Sequence, residues 1–329
     1  MLTVKNFFFA LILMAILLVG SSYSKLFAAN NPLITNYHSI FAFGYNKHAS
    51  LRIAIRMYHL GKKPYLLLVN PYNFATEIVP FSSISLKNIP QVNGLNYYNH
   101  YLPLEIKNTP YVKALIRYTS PPYPLQNYGI THTDHLLEGV FLTVDMCPSK
   151  KSFEKTFFQS LVIQTKQTGQ VVPLGIGISG LWAIHHQKEF AWLLQQQKLN
   201  TLHITWIDHS FHHPYYVEVP LRENFLLTPS TNISHEILDT EKLLITHGQT
   251  PSVFFRFPGL VSSKCLVLEL RQFGLIPIAS NAWLAKGQSP KPGSIILVHG
   301  NGNEPKGIKL FFKLQEKNKF HLLPLSQAF

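Results

Sequence analysis

The feature that most constrains the fold is a regular alternation of strand-like and helix-like segments from Val140 onward. Short apolar runs typical of buried strands alternate with longer segments of helical spacing. We predict strands at 140–144, 171–178, 202–207, 252–255, 275–279, 294–298 and 320–325, and helices at 152–165, 188–197, 234–247, 262–273 and 306–317. Because strands that alternate with helices pair in parallel, we expect an α/β fold, either a barrel or a doubly wound sheet.

Residues 30–137 lack this alternation and are rich in Tyr, Asn and Pro. Leu51–Leu60 has the spacing of a short helix with a basic face, and Pro64–Asn70 is predicted to be a buried strand. Asn108–Pro124 contains four prolines, which favour an extended connector. We therefore expect an N-terminal region of unknown role at 30–137 and a separate domain at 138–329.

The first 29 residues form a segment of their own. Lys5 is the lone early positive charge, and the uncharged run Phe7–Gly20 follows it, with small residues near Ala29. This order is typical of a signal peptide, and the apolar run is shorter than the roughly 20 residues of a membrane span. We expect a signal peptide or N-terminal anchor and an exported protein, in the periplasm, in the cell envelope or secreted.

The formal net charge is +13. A basic exported protein can associate with anionic polymers or headgroups, and simple solubility explains the charge equally well. No Lys/Arg cluster is interleaved with aromatic residues, which argues against nucleic acid as a partner. A membrane is expected as a partner only through an uncleaved N-terminal segment. Cys147 and Cys265 can form a disulfide after export or remain free thiols.

Reactive side chains follow four of the predicted strands. These are Asp145 after Val144, Asp208 with His209 and His213 after Ile207, Arg256 after Phe255, and His299 after Val298. The carboxyl ends of parallel strands are where such folds place their chemistry. The sequence thus predicts a site at that edge.

The same four segments carry a resemblance to a known family. They are Thr143-Val-Asp-Met-Cys-Pro148, His209-Ser-Phe-His-His-Pro214, Arg256-Phe-Pro258 and Val298-His299. Their order resembles the segments T-F-D-D-G-P, H-T/S-x-x-H-P, R-x-P and L-H of the polysaccharide deacetylases (NodB-homology domain, carbohydrate esterase family four). The resemblance covers about 190 residues, and it implies a distorted (β/α) barrel with an extra N-terminal region.

The resemblance also implies roles for these residues. His209 and His213 would bind a divalent metal, for which zinc is expected, and Asp145 would be the general base. Arg256 would fix Asp145 as an arginine–carboxylate fork does. His299 would be the general acid, and a backbone N–H near Pro214 to Tyr216 is expected to stabilise an oxyanion.

The chain departs from the family pattern at the metal. Met146 replaces a second aspartate that binds the ion, and a thioether is a poor ligand for such cations. Asp208 is predicted to supply the missing carboxylate, although Asp145 can act as both ligand and base. Cys147 can bind as a thiolate or point inward. The family's later acidic position near Trp283 carries no acid here.

The expected function follows from the resemblance. The chain is predicted to be a metal-dependent hydrolase that removes N-acetyl groups from a sugar polymer, such as peptidoglycan or another N-acetylglucosamine-containing glycan. Pro214, Tyr215, Pro258 and Trp283 are predicted to line the substrate pocket. One alternative is an inactive, deacetylase-like protein that binds glycan or organises the envelope, and another is hydrolysis of an ester or a different C–N bond.

Overall fold

The computed structural model describes residues 33–88, 102–318 and 320–329. The leader predicted for residues 1–29 lies outside the described residues. In the described part of the chain, no helix is both long enough and apolar enough to cross a bilayer.

The described residues form strands and α-helices joined by loops and short 3-10 helices. The strands are β1 (Ile34–Asn46), β2 (Leu51–Leu60), β3 (Lys63–Val69), β4 (Thr76–Pro80), β5 (Ile84–Asn88), β6 (Phe141–Met146), β7 (Val172–Ile178), β8 (Leu202–Asp208), β9 (Phe254–Phe255), β10 (Ile276–Pro277), β11 (Ala282–Trp283) and β12 (Ile295–His299). The helices are α1 (Leu104–Lys107), α2 (Pro110–Arg117), α3 (Lys155–Thr168), α4 (Gly180–His185), α5 (Gln187–Lys198), α6 (Ile233–Thr246), α7 (Lys264–Gln272) and α8 (Pro305–Asn318).

Strands β6 to β12 form one parallel sheet in the order β10-β9-β8-β7-β6-β12-β11. Its outward-facing side chains, such as Val144 and Ile176, pack with Phe158 of α3 and Phe311 of α8 in one core. The predicted fold, a distorted (β/α) barrel with an extra N-terminal region, is confirmed. Short continuous apolar runs carried the α/β part of this prediction, because strands of a parallel sheet are buried largely on both faces, and the motif resemblance carried the barrel.

The strand predicted at 320–325 is wrong. Leu322 makes one isolated parallel bridge to Val140, and a 3-10 helix follows at Leu325–Ala328. Pro324 explains the interruption, because proline has no N–H to continue a ladder.

The N-terminal region is a second sheet, antiparallel, in the order β4-β3-β2-β1-β5. The strand predicted at 64–70 is confirmed as β3, whereas the helix predicted at Leu51–Leu60 is wrong, because this segment is β2. Ile53 and Ile55 face one apolar cluster and Ala54 faces another, so both sides of β2 are buried and its pattern loses the strand period.

The extended connector predicted at Asn108–Pro124 is also wrong over its first half, which forms α2. Pro110 stands at the start of that helix. Proline is favoured at the first helical position, since its missing N–H would have no partner there in any case.

The two sheets share one apolar core. Ile53 and Ile55 of β2 belong to the same buried cluster as Phe141, Ile207 and Ile295 of the parallel sheet. These three residues lie on the inward face of the parallel sheet, opposite to the face that packs against the helices. A boundary near residue 138 stays a prediction.

A buried ion pair joins the two regions as well. The Nε and Nη2 atoms of Arg56 in β2 donate to the two carboxylate oxygens of Glu241 in α6, at 2.6 and 2.8 Å. Tyr37 of β1 donates to Glu241 Oε2 at 2.8 Å. Arg56 Nη1 donates to the carbonyls of Ile55 and Phe273, and the Arg56 side chain is fully buried.

Candidate active site

The end of β6 sends successive side chains to opposite faces of the sheet, as the two-residue period of a strand requires. Met146 is fully buried in the outward-facing core with Phe158. Asp145 and Cys147 lie on the inward side, at 3% and 7% exposure. Met146, which stands where the motif resemblance expects a second aspartate, is therefore a core residue, and Cys147 reaches the site in its place.

Asp145 is held by a buried arginine. Its Oδ1 accepts from Arg256 Nη1 at 2.8 Å, while its Oδ2 lies 3.6 Å from Nε2 of His209. The other donors of Arg256 bind the carbonyls of Ile278 and Ala279, at 3.3 and 3.2 Å. The contact is thus single, not the fork that the sequence predicted, and Oδ2 stays free of the arginine.

The charge of Asp145 follows from these neighbours. Burial alone would raise the pKa of its carboxyl, but Arg256, His209 and His299 together lower the pKa below its usual value. Asp145 is therefore a carboxylate at neutral pH, with one oxygen available to a reactant.

The absence of a side chain at Gly177 of β7 leaves space for the Asp145 carboxylate. This glycine pairs with Asp145 in the parallel ladder, and a Cβ at Gly177 would lie 2.4 Å from Oδ1 of Asp145. A glycine inside a strand often marks such a close approach. Gly175 and Gly177 stand two residues apart in β7, and this spacing is a sequence signal for a close approach that the four motifs do not include.

His209 and His213 meet Cys147 at one point. One ligand atom from each of these three residues lies within 4.8 Å of the other two. His209 Nε2 lies 3.5 Å from the sulfur of Cys147, and the two imidazole rings are 4.8 Å apart between centroids. The structure brings together the histidine pair that the sequence predicted.

The tautomer of His209 is fixed by its backbone contact. Its Nδ1 lies 2.8 Å from the carbonyl oxygen of Arg256, which can only accept, so Nδ1 carries the proton. Nε2 is then the nitrogen that is turned toward the site, 3.5 Å from the sulfur of Cys147 and 3.6 Å from Oδ2 of Asp145. An imidazole whose second nitrogen donates to a carbonyl is the usual arrangement at a metal.

His213 contributes a second imidazole nitrogen to the site. Its backbone has a positive φ of 49° and its N–H donates to Ser210 Oγ at 3.1 Å, which turns the ring inward. Its Nε2 is buried and has no hydrogen-bond partner among the described residues. An orphaned buried nitrogen beside a thiol and another imidazole fits a metal ligand.

Cys147 has the chemistry of a thiolate. Burial alone would raise the pKa of its thiol, but His213, His209 and His299 lower the pKa well below its usual value. Cys147 and Cys265 are both free thiols, the first buried and the second exposed. A deprotonated sulfur is the form that binds a metal.

Asp208 does not join this group, which corrects its prediction as the carboxylate ligand. Its Oδ1 accepts from the N–H of Ser210 at 2.8 Å. Burial, followed by the nearby charge of Glu241, raises the pKa of Asp208 well above its usual value. Strand alternation explains the result, because Asp208 has the outward parity of Trp206 and His209 has the inward parity of Ile207.

His299 faces Asp145 from β12, with which β6 pairs at this position. Its Nδ1 lies 2.8 Å from Oε2 of Glu304, and that same oxygen accepts from the indole N–H of Trp283 at 2.7 Å. Burial alone would lower the pKa of His299, but Cys147, Glu304 and Asp145 raise the pKa well above its usual value. His299 is therefore protonated near neutral pH.

Glu304 is a site residue that the sequence analysis missed. It lies in the loop between β12 and α8, just before Pro305. The acid that is missing beside Trp283 in sequence thus reaches His299 from another segment. The motif pattern gave no signal for it, since the contact depends on how the loop folds back.

These residues line one cavity of about 590 Å³. Its lining comprises Gln126, Asp145, Cys147, Pro148, His209, His213, Tyr215, Leu221, Phe225, Gly259, Leu260, Trp283, Lys286, Leu297, His299, Asn303 and Glu304. The predicted pocket residues Tyr215 and Trp283 are in this wall. Pro214 and Pro258 adjoin it in sequence without being among the lining residues.

One hydrogen bond reduces the number of backbone N–H groups that could serve as the predicted oxyanion donor. The N–H of Tyr216 donates to Asn224 Oδ1 at 3.0 Å, so it is not available to a reactant. The N–H of Tyr215 is the remaining candidate in that segment.

Comparisons with known proteins bear on both regions. A family model described as the RP012 protein N-terminal domain matches residues 35–112. A family 4 carbohydrate esterase from Bacillus anthracis is 22% identical, with 61% of this chain and 87% of that chain covered and a TM-score of 0.43. Bacillus subtilis PdaA, also a family 4 carbohydrate esterase, is 17% identical, with 66% and 88% covered and a TM-score of 0.45.

A CE4 family pseudoenzyme from Bacillus anthracis is 14% identical, with 60% of this chain and 67% of that chain covered and a TM-score of 0.38. The three similar structures are thus all described as members of carbohydrate esterase family 4, and they include both a pseudoenzyme and proteins named as esterases.

Proposed function

We propose that this protein is an exported, metal-dependent hydrolase that removes N-acetyl groups from a sugar polymer. The observation that carries the proposal is the placement of the free Oδ2 of Asp145 beside the Cys147, His209 and His213 group in one cavity. His299, with its own acidic partner, faces the same space.

Amide hydrolysis needs a base for the water and an acid for the departing amine. Asp145, ionised and held by Arg256, takes a proton at Oδ2. His299, protonated beside Glu304, donates a proton to the leaving nitrogen. The two groups start in opposite protonation states because their surroundings push their pKa values apart.

Cys147, His209 and His213 would hold the divalent ion. One thiolate and two imidazoles suit zinc better than magnesium or calcium, and three protein ligands leave one position open, as in catalytic zinc sites. When bound, such an ion polarises the acetyl carbonyl and acidifies water. The residues present fit this group because Nε2 of His209 is turned toward the sulfur of Cys147 and the buried Nε2 of His213 has no hydrogen-bond partner among the described residues.

The glycan assignment rests on the cavity wall and on the motif resemblance. Trp283 and Tyr215 offer flat aromatic surfaces to a sugar ring or an acetyl group. Export remains part of the proposal through the sequence of residues 1–29.

The decisive experiment measures acetate release from N-acetylglucosamine oligomers by the purified chain, first stripped of metal and then supplied with zinc or cobalt. We expect release that depends on metal and is lost in Asp145→Asn. Asp134→Asn is the matched control, because Asp134 is exposed and pairs with Arg117 away from the cavity. Metal-loaded protein that releases no acetate from any of several oligomers or polymers would contradict the proposal.

The second candidate is an inactive glycan-binding relative. The burial of Met146 in the core favours it, since no second carboxylate replaces the missing ligand at that position. A protein that binds N-acetylated oligomers, holds no ion when purified and releases no acetate would support this candidate.

A further inference from the structure

We propose that Glu236 is a positioning residue for the metal. Its carboxylate holds His212, and through the main chain of that residue it sets the direction of the ligand nitrogen of His213. The inference rests on the proposed function, because it concerns the ligand group of Cys147, His209 and His213. Glu236 lies in α6, outside the four motif segments and outside the cavity lining.

Both carboxylate oxygens of Glu236 contact the same residue. Oε2 accepts from the main-chain N–H of His212 at 2.9 Å, and Oε1 lies 2.8 Å from Nδ1 of its ring. The Glu236 side chain is buried, whereas the ring of His212 is more than half exposed. Hydrogen bonds to a carboxylate are stronger than neutral ones, and here they fix the main chain as well as the ring. The residue directly before His213 is therefore held in place.

The backbone around His213 needs such support. Ser210 and His213 have φ angles of 66° and 49°, in the left-handed region that residues with a side chain seldom occupy. Backbone of this kind persists only where the surrounding structure holds it. Because His212 lies between the two residues, its contacts with Glu236 oppose a relaxation that would turn the ring of His213 away from the site.

The loop after β8 is held by two helices. Near its start, the N–H groups of Gly180 and Leu181 in α4 donate to the carbonyls of Ser210 and Phe211, at 3.2 and 2.9 Å. Toward its end, the contacts come from Glu236 in α6. Loss of Glu236 therefore releases the half of the loop nearer to the second histidine ligand and leaves the first half anchored.

Glu236 projects from a firmly held element. It stands in the first turn of α6, where Asn232 caps the helix by accepting from the N–H of His235 at 3.1 Å. Further along the same helix, Glu241 is paired with the buried Arg56. A supporting residue on a helix is placed more precisely than one on a loop. The position of the histidine loop thus follows that of α6.

The test measures the zinc affinity of purified, metal-stripped protein by competition with a chromogenic chelator, together with the visible spectrum of cobalt-loaded protein. Loss of an outer-shell partner typically lowers metal affinity about 10–100-fold. Because Glu236 acts through the neighbour of a ligand, we expect Glu236→Ala to lower zinc affinity about tenfold and to change the cobalt absorption bands. Glu236→Gln can still accept from the N–H of His212 and should stay within about threefold of the unaltered protein.

Two further variants complete the series. Glu236→Asp keeps the charge at the start of α6 but is one methylene shorter, so it is expected to fold even if Glu236→Ala does not, and to lose an intermediate amount of zinc affinity. Asp239→Asn is the matched control, because Asp239 lies on the same helix and pairs with Lys242 and His235 instead of the loop. Its zinc affinity should equal that of the unaltered protein.

A purely structural role of Glu236 would give a different result. The free energy of unfolding would fall in the Glu236 variants, while the folded protein kept its zinc affinity and its cobalt spectrum. That outcome, or an equal loss of affinity in Asp239→Asn, would overturn the inference.

The same measurements separate this inference from the proposed function. Protein that binds zinc and releases no acetate contradicts the deacetylase proposal alone, because the Glu236 variants still report on the metal. Unaltered protein that binds no zinc would overturn the inference together with the metal assignment.

Discussion

Two buried arginine–carboxylate pairs in this protein use the same chemistry for different purposes. Arg56 binds both oxygens of Glu241, and Tyr37 occupies one of them again. Arg256 binds one oxygen of Asp145 and leaves the other facing His209 and the cavity. Both oxygens of Glu241 accept hydrogen bonds, so this carboxylate can only stabilise the fold. Oδ2 of Asp145 accepts none from the arginine, so this carboxylate can take up a proton.

The largest effect is expected where the free oxygen is removed. Asp145→Asn keeps the shape of the side chain but takes away the base, and we expect kcat for acetate release to fall by about 10²–10⁴. The free energy of unfolding should fall as well, because the substitution leaves the buried Arg256 guanidinium without a charged partner. Full activity in Asp145→Asn would break the comparison.

The mirror experiment is Glu241→Gln. It leaves the Arg56 guanidinium buried without a charged partner, and loss of one member of such a pair typically costs about 3–5 kcal/mol. We expect a loss of that order in the free energy of unfolding, measured with urea. Enzyme that remains folded should keep its kcat, since Glu241 does not line the cavity. An unfolding curve like that of the unaltered protein would show that the pair is not structural.

The role of Cys147 can be sharpened by metal affinity. Cys147→Ser removes the soft ligand, and we expect zinc affinity to fall by at least the roughly 10–100-fold that loss of an outer-shell partner causes. Cys147→Asp should favour harder ions relative to zinc. Competition with a chromogenic chelator measures both, and Cys265→Ser, at an exposed thiol, is the control. Unchanged zinc affinity in Cys147→Ser would remove the cysteine from the site.

The smallest effect concerns Glu304. Glu304, together with Cys147 and Asp145, holds the pKa of His299 above its ordinary value, so His299 stays protonated as pH rises through that ordinary value. In Glu304→Gln the alkaline limb of the kcat/KM profile should move to lower pH, with a loss near pH 7 of less than about a hundredfold. An unmoved alkaline limb would separate Glu304 from His299.

Much of the parallel sheet was predictable because its signals are local. Each strand is a short apolar run that ends in a polar side chain, and Asp145, His209, Arg256 and His299 all lie where this pattern predicted. The strand β2 was not predictable in the same way, because Arg52, Arg56 and His59 interrupt its apolar run, while apolar residues on both faces remove the alternation.

The errors within the site have a similar cause. Asp208 adjoins His209 in sequence, but side chains alternate along β8, so adjacency placed it on the wrong face. The same alternation along β6 predicts that Cys147 shares the face of Asp145. It therefore indicates Cys147 as the residue that joins His209 and His213. Strand alternation could not predict the role of Glu304, because this residue lies in a loop and contacts Trp283 only in the folded chain.

The pairing of Arg56 with Glu241 also bears on the order in which this chain can fold. The two residues are 185 positions apart, so a ribosome must add most of the later sequence before the guanidinium finds its carboxylate. Until then β2 carries a cation with no partner in what will become a dry interior. Contacts of such long sequence separation slow folding. The antiparallel sheet is therefore expected to reach its final packing late, well after its own residues have been synthesised.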